Sequence, residues 1–286
     1  PPFLLIWLED WKMRTAACRL HKGFSLEKRM EGAKAALEFD PSARRGAWRR
    51  WAPEGGVRPD GEAFSRVVLD LGCGKGEYTV ARAEADPETL FVGIDVDPIC
   101  VMRSAEAACE AGAGNVVFVH DEDPDVLELF GEGELASILI NFPTPFPKKK
   151  RAPRRLTYLD RLMKYRLVLE DGGTVRMRTD STPFRDFSLT QLELAVRGMF
   201  PDEPWSGYER KLVAKGAPVV GFCAVPGPAP EHVEQTAPLS LVSYLPEDLE
   251  SLDYIPFGMQ GSIDNIVGYN ANRRKKGLPD WRPPIV

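Results

Sequence analysis

The run Val67-Val68-Leu69-Asp70-Leu71-Gly72-Cys73-Gly74-Lys75-Gly76-Glu77 constrains this chain more than any other segment. An apolar stretch of strand length delivers Asp70 near its C-terminal end, and glycines follow at 72, 74 and 76 before an amphipathic stretch. Glycines so placed let the backbone turn tightly out of a strand and approach a ligand with no Cβ in between. Ligands of open α/β sheets sit at this carboxyl edge. The pattern downstream agrees. Apolar strands over 67–71, 91–95, 116–120, 136–142 and 174–178 alternate with helices over 76–84, 98–111, 123–130, 155–169 and 183–200, and a late strand follows at 218–225. That alternation predicts a doubly wound α/β domain, a parallel sheet with helices on both faces.

The dinucleotide fingerprint G-x-G-x-x-G is not met, because Glu77 stands where its last glycine would be. The acid two places before the first glycine is instead the pattern of methyltransferases. An anion there suits a cofactor carrying ammonium and sulfonium groups and does not suit a pyrophosphate. Asp95 ends the next strand in Gly93-Ile94-Asp95, where it can accept both hydroxyls of a ribose. Asp121 closes the third strand, as an adenine contact or as a simple capping acid. The expected ligands of S-adenosyl-L-methionine are therefore Asp70, Gly72, Gly74, Gly76, Asp95 and Asp121.

With 286 residues and 43% apolar side chains, the chain can bury a full core. Its net charge of −5 argues against coating nucleic acid by charge alone and leaves room for a local basic patch. The five cysteines form no C-x-x-C pair and have no ligand-like histidine nearby, which predicts a reducing, cytoplasmic setting and neither disulfide frame nor metal site. The apolar run Pro1–Leu8 is too short to span a membrane, and no basic segment precedes it, so no signal peptide is expected. The chain does not begin with methionine, which leaves this end as a fragment or a processed terminus. The predicted organisation is a basic, helical extension over 1–62, with apolar positions at helical spacing from Phe24 to Phe39, then the main domain over 63–225. A linker and appendage over 226–286 follow, opened by Pro226-Gly227-Pro228-Ala229-Pro230 and carrying the basic run Arg273-Arg274-Lys275-Lys276. That appendage has three open readings: a cover over the site, extra RNA contacts, or a structural cap.

The most specific stretch follows the fourth strand: Asn141-Phe142-Pro143-Thr144-Pro145-Phe146-Pro147-Lys148-Lys149-Lys150-Arg151, then Arg154-Arg155-Leu156-Thr157-Tyr158. Three prolines stiffen the loop. Six cations within eight residues repel one another unless an anion lies opposite, and the carboxyl-edge position favours phosphate over a merely solvated loop.

This segment resembles the bacterial tRNA (guanine-N7)-methyltransferases, whose fourth-strand motif reads approximately N-F-[SP]-D-P-W-P-K-K-R-H-x-K-R-R-L-T-Y. Later parts match in order: Arg178-Thr179-Asp180 resembles the family's T-D element, and Ser206-Gly207-Tyr208-Glu209-Arg210-Lys211 with Gly216 and Pro218 resembles its T-x-Y-E-x-K…G-x-P segment. The similarity covers roughly residues 44–225. The resemblance implies the class I S-adenosylmethionine-dependent methyltransferase fold, with a mostly parallel seven-stranded sheet. It also implies a tRNA partner, no membrane and no metal, and methylation of N7 of a guanine, guanine 46 of the variable loop. Asp70, Asp95 and Asp121 would then bind the cofactor, and Lys148, Asp180, Ser206 and Glu209 the guanine nucleotide. Asp180 also reads as a helix cap, and Glu209 as an ordinary exposed helix carboxylate. Phe146 reads either as a base contact or as loop packing.

One departure stands out. The family's catalytic-loop Asp is Thr144 here, and its following Trp is Phe146. Guanine N7 carries a free lone pair, so its methylation removes no proton and is governed by positioning. The expectation is an active enzyme with an altered site. The rivals are a divergent class I methyltransferase with another RNA or a small-molecule substrate, and a weakly active RNA-binding homologue. The oligomeric state is left open.

Overall fold

A computed structural model describes residues 24–192, 194–196, 206–227, 233–249 and 252–281. The apolar run at the N-terminus, Cys18 and most of the predicted linker lie outside these described residues. The chain divides into two compact units between Ala136 and Ser137.

In the first unit, helix α1 (Leu26–Gly32) is capped by Ser25, whose hydroxyl accepts from the Lys28 N–H at 3.2 Å, and it buries Leu26 and Met30, one turn apart. The helix expected through Phe39 is shorter than predicted. A 3-10 turn, Lys34–Ala36, follows it. Leu37 then runs extended and bridges Phe118, with the Glu38 N–H donating to the Phe118 carbonyl at 3.0 Å. A partner distant in sequence overrides local helical spacing here. Further 3-10 turns and a two-residue hairpin, β1 (Trp51–Ala52) with β2 (Gly56–Val57), fill the irregular stretch. They anchor through Trp48, fully buried, whose indole N–H donates to Leu129 O at 2.8 Å and whose ring stacks on Phe130.

Parallel strands alternate with helices from there: β3 (Arg66–Leu71), α2 (Glu77–Ala85), β4 (Thr89–Asp95), α3 (Pro98–Ala111), β5 (Val116–His120) and the single turn α4 (Val126–Leu129). The spatial order is β5-β4-β3, and Asp70 lies opposite Gly93 while Asp95 lies opposite His120. The strands are buried on both faces almost without interruption, as a helix-covered parallel sheet requires.

The second unit takes in most of β6 (Leu135–Asn141), then α5 (Leu159–Val168), β7 (Leu169–Thr179), α6 (Thr182–Thr190), β8 (Leu194–Val196), α7 (Gly207–Val213), β9 (Val220–Pro226) and α8 (Gln260–Lys275). Its order is β6-β7-β9-β8, with β9 antiparallel to both neighbours. The helix predicted over 183–200 stops at Thr190, and Leu194–Val196 forms a strand against Ala224–Pro226. Backbone pairing with β9 outweighs the modest helical preference of this stretch; residues 193 and 197–200 lie outside the described set. The helix expected from Arg155 begins at Leu159, because Arg155 is committed to the preceding loop. Among the described residues no helix is long and apolar enough to cross a membrane, and no group of His, Cys, Asp and Glu could hold a metal ion.

Candidate functional site

The first unit carries the residues expected to bind the cofactor. Gly72, Gly74 and Gly76 all adopt positive φ, at 83°, 58° and 74°. At Gly76 a Cβ would also meet the Ser104 Cβ at 2.6 Å, so close packing of α3 excludes any side chain. At Gly74 nothing lies within 4 Å of that position, which leaves its backbone open to a ligand. Asp70 is buried and accepts from the Thr79 hydroxyl of α2 at 2.6 Å. Asp95 is held by two backbone donors, Gly74 N–H on Oδ2 and Asp97 N–H on Oδ1, each at 2.8 Å. Asp121 accepts from the Asp123 N–H at 3.0 Å and so shapes its own turn.

These residues fit S-adenosylmethionine. Each Asp95 oxygen uses one lone pair on the backbone and retains another for a ribose hydroxyl. The carboxylates of Asp70 and Asp121 suit a cation-bearing ligand. Burial pushes the Asp95 carboxyl above the ordinary aspartate range, against the pull of its two backbone bonds, and burial raises Asp121 as well. If Asp95 binds the ribose of the cofactor, its protonation removes the capacity to accept both hydroxyls. Cofactor affinity is therefore expected to fall on acidification, beginning at a higher pH than an ordinary aspartate would give. Asp95→Asn should lose about ten-fold in affinity together with this acid limb, as calorimetry across pH would show. The same upward shift opposes folding as pH rises, since the folded chain holds this proton longer than the unfolded one.

The second unit carries the residues expected to bind the substrate. The Phe142 N–H donates to Arg178 O at 2.7 Å, and the proline loop then runs with Phe142 at φ 49° and Phe146 at φ 42°. Both precede a proline, where helical-type conformations are already disfavoured, and left-handed geometry in a bulky residue is strained. Arg155 holds the loop in place. It is fully buried, donates from Nε to Pro145 O at 3.0 Å and from an Nη to Phe146 O at 2.8 Å, and lies 4.2 Å over the Phe187 ring. Burial brings its pKa down to about 10, so it remains a cation at neutral pH.

This corrects the reading of six phosphate-facing cations. Lys148, Lys149, Lys150, Arg151 and Arg154 are exposed, and Arg155 is an internal clamp. Arg154 lies 5.1 Å over the ring of Phe146, which is half-buried. Thr144 is exposed at the tip.

Asp180 is 7% exposed and accepts from the Tyr254 hydroxyl at 2.5 Å. It does not cap α6; Ser181 does, accepting from the Phe184 N–H at 3.3 Å. Ser206 caps α7, accepting from the Glu209 N–H at 3.1 Å. Glu209 is not an exposed helix carboxylate. It is 1% exposed and forms an ion pair with Arg178. Sequence reasoning missed Tyr254, which lies 74 residues from its partner and carries no local signal. It also missed Thr79, although a polar residue on the buried face of the first helix was a usable clue. A cavity of about 320 Å³ in this unit, lined by Leu162, Met163, Val175, Gln191 and Gln235 among others, contains none of the predicted site residues.

A glycine loop rising from a parallel strand, with acids at successive strand ends, defines a class I S-adenosylmethionine-dependent methyltransferase. The chain belongs to the family described as "Putative methyltransferase", whose model matches residues 65–212, and within it to the tRNA (guanine-N(7)-)-methyltransferases. The enzyme of that name from Geobacillus kaustophilus (strain HTA426) is 31% identical over 192 residues, 62% of this chain and 82% of the relative. The one from Christiangramia forsetii (strain DSM 17595 / CGMCC 1.15422 / KT0803) is 40% identical over 123 residues, 43% of this chain and 55% of the relative. Among solved structures, the 16S rRNA methyltransferase KamB is similar at 18% identity and a TM-score of 0.45, over 60% of this chain and 97% of that one.

Proposed function

We propose that the chain transfers a methyl group from S-adenosylmethionine to N7 of a guanine in tRNA, at guanine 46 of the variable loop, in the cytoplasm. The observation that carries this reading is the second unit's pairing of a clamped proline loop, five exposed cations along it, and a buried Asp180. Bound S-adenosylmethionine supplies a methyl group on a positively charged sulfur. The chain's task is to bind and orient. Asp95 accepts the ribose hydroxyls, Asp70 and Asp121 favour the cationic and amino groups of the cofactor, and Gly74 leaves room for it. Lys148 and its neighbours neutralise phosphates. Asp180 accepts from the amino edge of the guanine, while Ser206 and Glu209 fix the α7 end of that pocket.

No residue has to remove a proton, because N7 attacks with its own lone pair. N7 faces the deep, narrow major groove of A-form RNA, which side chains cannot read, so the target base lies in a loop or leaves its stack. Thr144 is neutral where the family carries a carboxylate, and this costs orientation rather than chemistry. Thr144→Asp is therefore expected to raise kcat several-fold, about 1 kcal/mol of added positioning; a fall in kcat would mean that the loop has been rebuilt around the threonine. The deciding experiment is transfer of labelled methyl to an unmodified tRNA transcript, followed by mapping of the modified base. Cofactor binding with no 7-methylguanosine formed would turn the reading to a non-enzymatic RNA-binding homologue.

A further inference from the structure

Residues 240–249 and 252–259 lie outside the stretch matched to the family, yet they make contacts with the second unit's proline loop and with Asp180. The Leu241 N–H donates to Pro147 O at 3.1 Å, at the end of the proline loop. A Cβ on Gly258 would lie 3.8 Å from Pro147 Cδ, so the segment passes near this proline a second time. Met259 is fully buried, with its sulfur 3.9 Å from the Ser181 hydroxyl. Between these anchors Tyr254 donates to Asp180 Oδ2 at 2.5 Å. The segment thus reaches from the cationic loop to the carboxylate assigned to the guanine.

We propose that the segments 240–249 and 252–259 complete the nucleotide site, and that Tyr254 is a positioning residue that orients Asp180 toward the guanine. The proposal rests on the guanine reading above. A carboxylate offers about four lone-pair positions, and the phenol takes one of them on Oδ2. The carboxylate plane is then fixed, and lone pairs on both oxygens remain for the paired N–H donors of a guanine edge. Burial, followed by its hydrogen bond to Asp180 and then the charge of that carboxylate, pushes the Tyr254 phenol upward, so it stays a donor at neutral pH. An Asp180 without this bond would have to freeze its own rotamer each time a nucleotide binds.

The test is Tyr254→Phe in the full chain, which keeps the ring and removes only the donor. Transfer to a tRNA transcript should show KM raised about ten-fold, with kcat within two-fold and the melting temperature unchanged. Adding Tyr254→Phe to Asp180→Asn should cost nothing further. Unchanged KM overturns the proposal, and so does faster transfer, which would make the segment an inhibitory cover. Guanosine 5′-monophosphate, titrated against the same variants, reads the contact independently of methylation. If the wild type methylates no guanine N7 but Tyr254→Phe weakens nucleotide binding about ten-fold, the broader function fails and the Tyr254 role stands. If guanine N7 is methylated and neither KM nor nucleotide affinity moves, the Tyr254 role fails alone.

Discussion

Replacing Arg155 by methionine is expected to lower methyl transfer to tRNA by about a hundred-fold while changing folding stability by only about 1–2 kcal/mol in either direction. The two effects separate for a physical reason. The side chain is a buried cation held by carbonyls of Pro145 and Phe146 and by the face of Phe187. Removing it forfeits charge-assisted bonds worth about 1.5–3 kcal/mol each, but it also removes a buried charge whose desolvation costs several kcal/mol. The backbone strain at Phe142 and Phe146, about 1–3 kcal/mol each, is released once the loop relaxes. Stability nearly balances, and loop geometry is what is lost. Steady-state kinetics beside a thermal melt checks this. A variant with normal kcat and KM would show that the loop holds its shape without the clamp.

Glu209→Ala should do the reverse and strike folding first. Glu209 and Arg178 are both buried and paired with each other. Deleting one partner of a buried pair costs about 3–5 kcal/mol, because the remaining charge is left in the interior. For a chain of this size that lowers the melting temperature by about 10 °C. Replacing both, as in Arg178→Met with Glu209→Leu, should restore most of the stability. If Glu209 also holds the nucleotide, the restored fold will still bind tRNA poorly. A double variant with normal KM would assign Glu209 to the fold alone.

What the sequence disclosed followed from how local each signal is. Helix α3 and strand β5 were legible to the residue, because Asp97 caps the helix, Pro98 sits in its first turn and Gly112 at φ 65° ends it. The glycine loop was legible for the same reason: its positive φ angles demand the residue type that is written there. The strand β8 was not, since Leu194–Val196 becomes a strand only by pairing with β9, some thirty positions away. Charge patterning placed Arg155 with its exposed neighbours and could not see that the chain folds carbonyls around it. The appendage reading was open for a similar reason. In the structure Arg273 bonds Pro279 O and Arg274 pairs with Asp280, so half of that basic run serves the end of α8.

The short bridge from Leu37 to Phe118 has a practical consequence for anyone trimming this chain. Within its unit β5 is the outermost strand, and Val116, Val117, Phe118 and Val119 are all but fully buried. A version cut to start at residue 65, where the family match begins, would strip the turn Lys34–Ala36 and the Leu37–Glu38 segment from that border. It would leave an apolar strand with open hydrogen-bonding groups, the kind of surface on which chains stack into aggregates. The preface is thus a guard on solubility, and purified material lacking it should precipitate even if the methyl-transfer residues are all present.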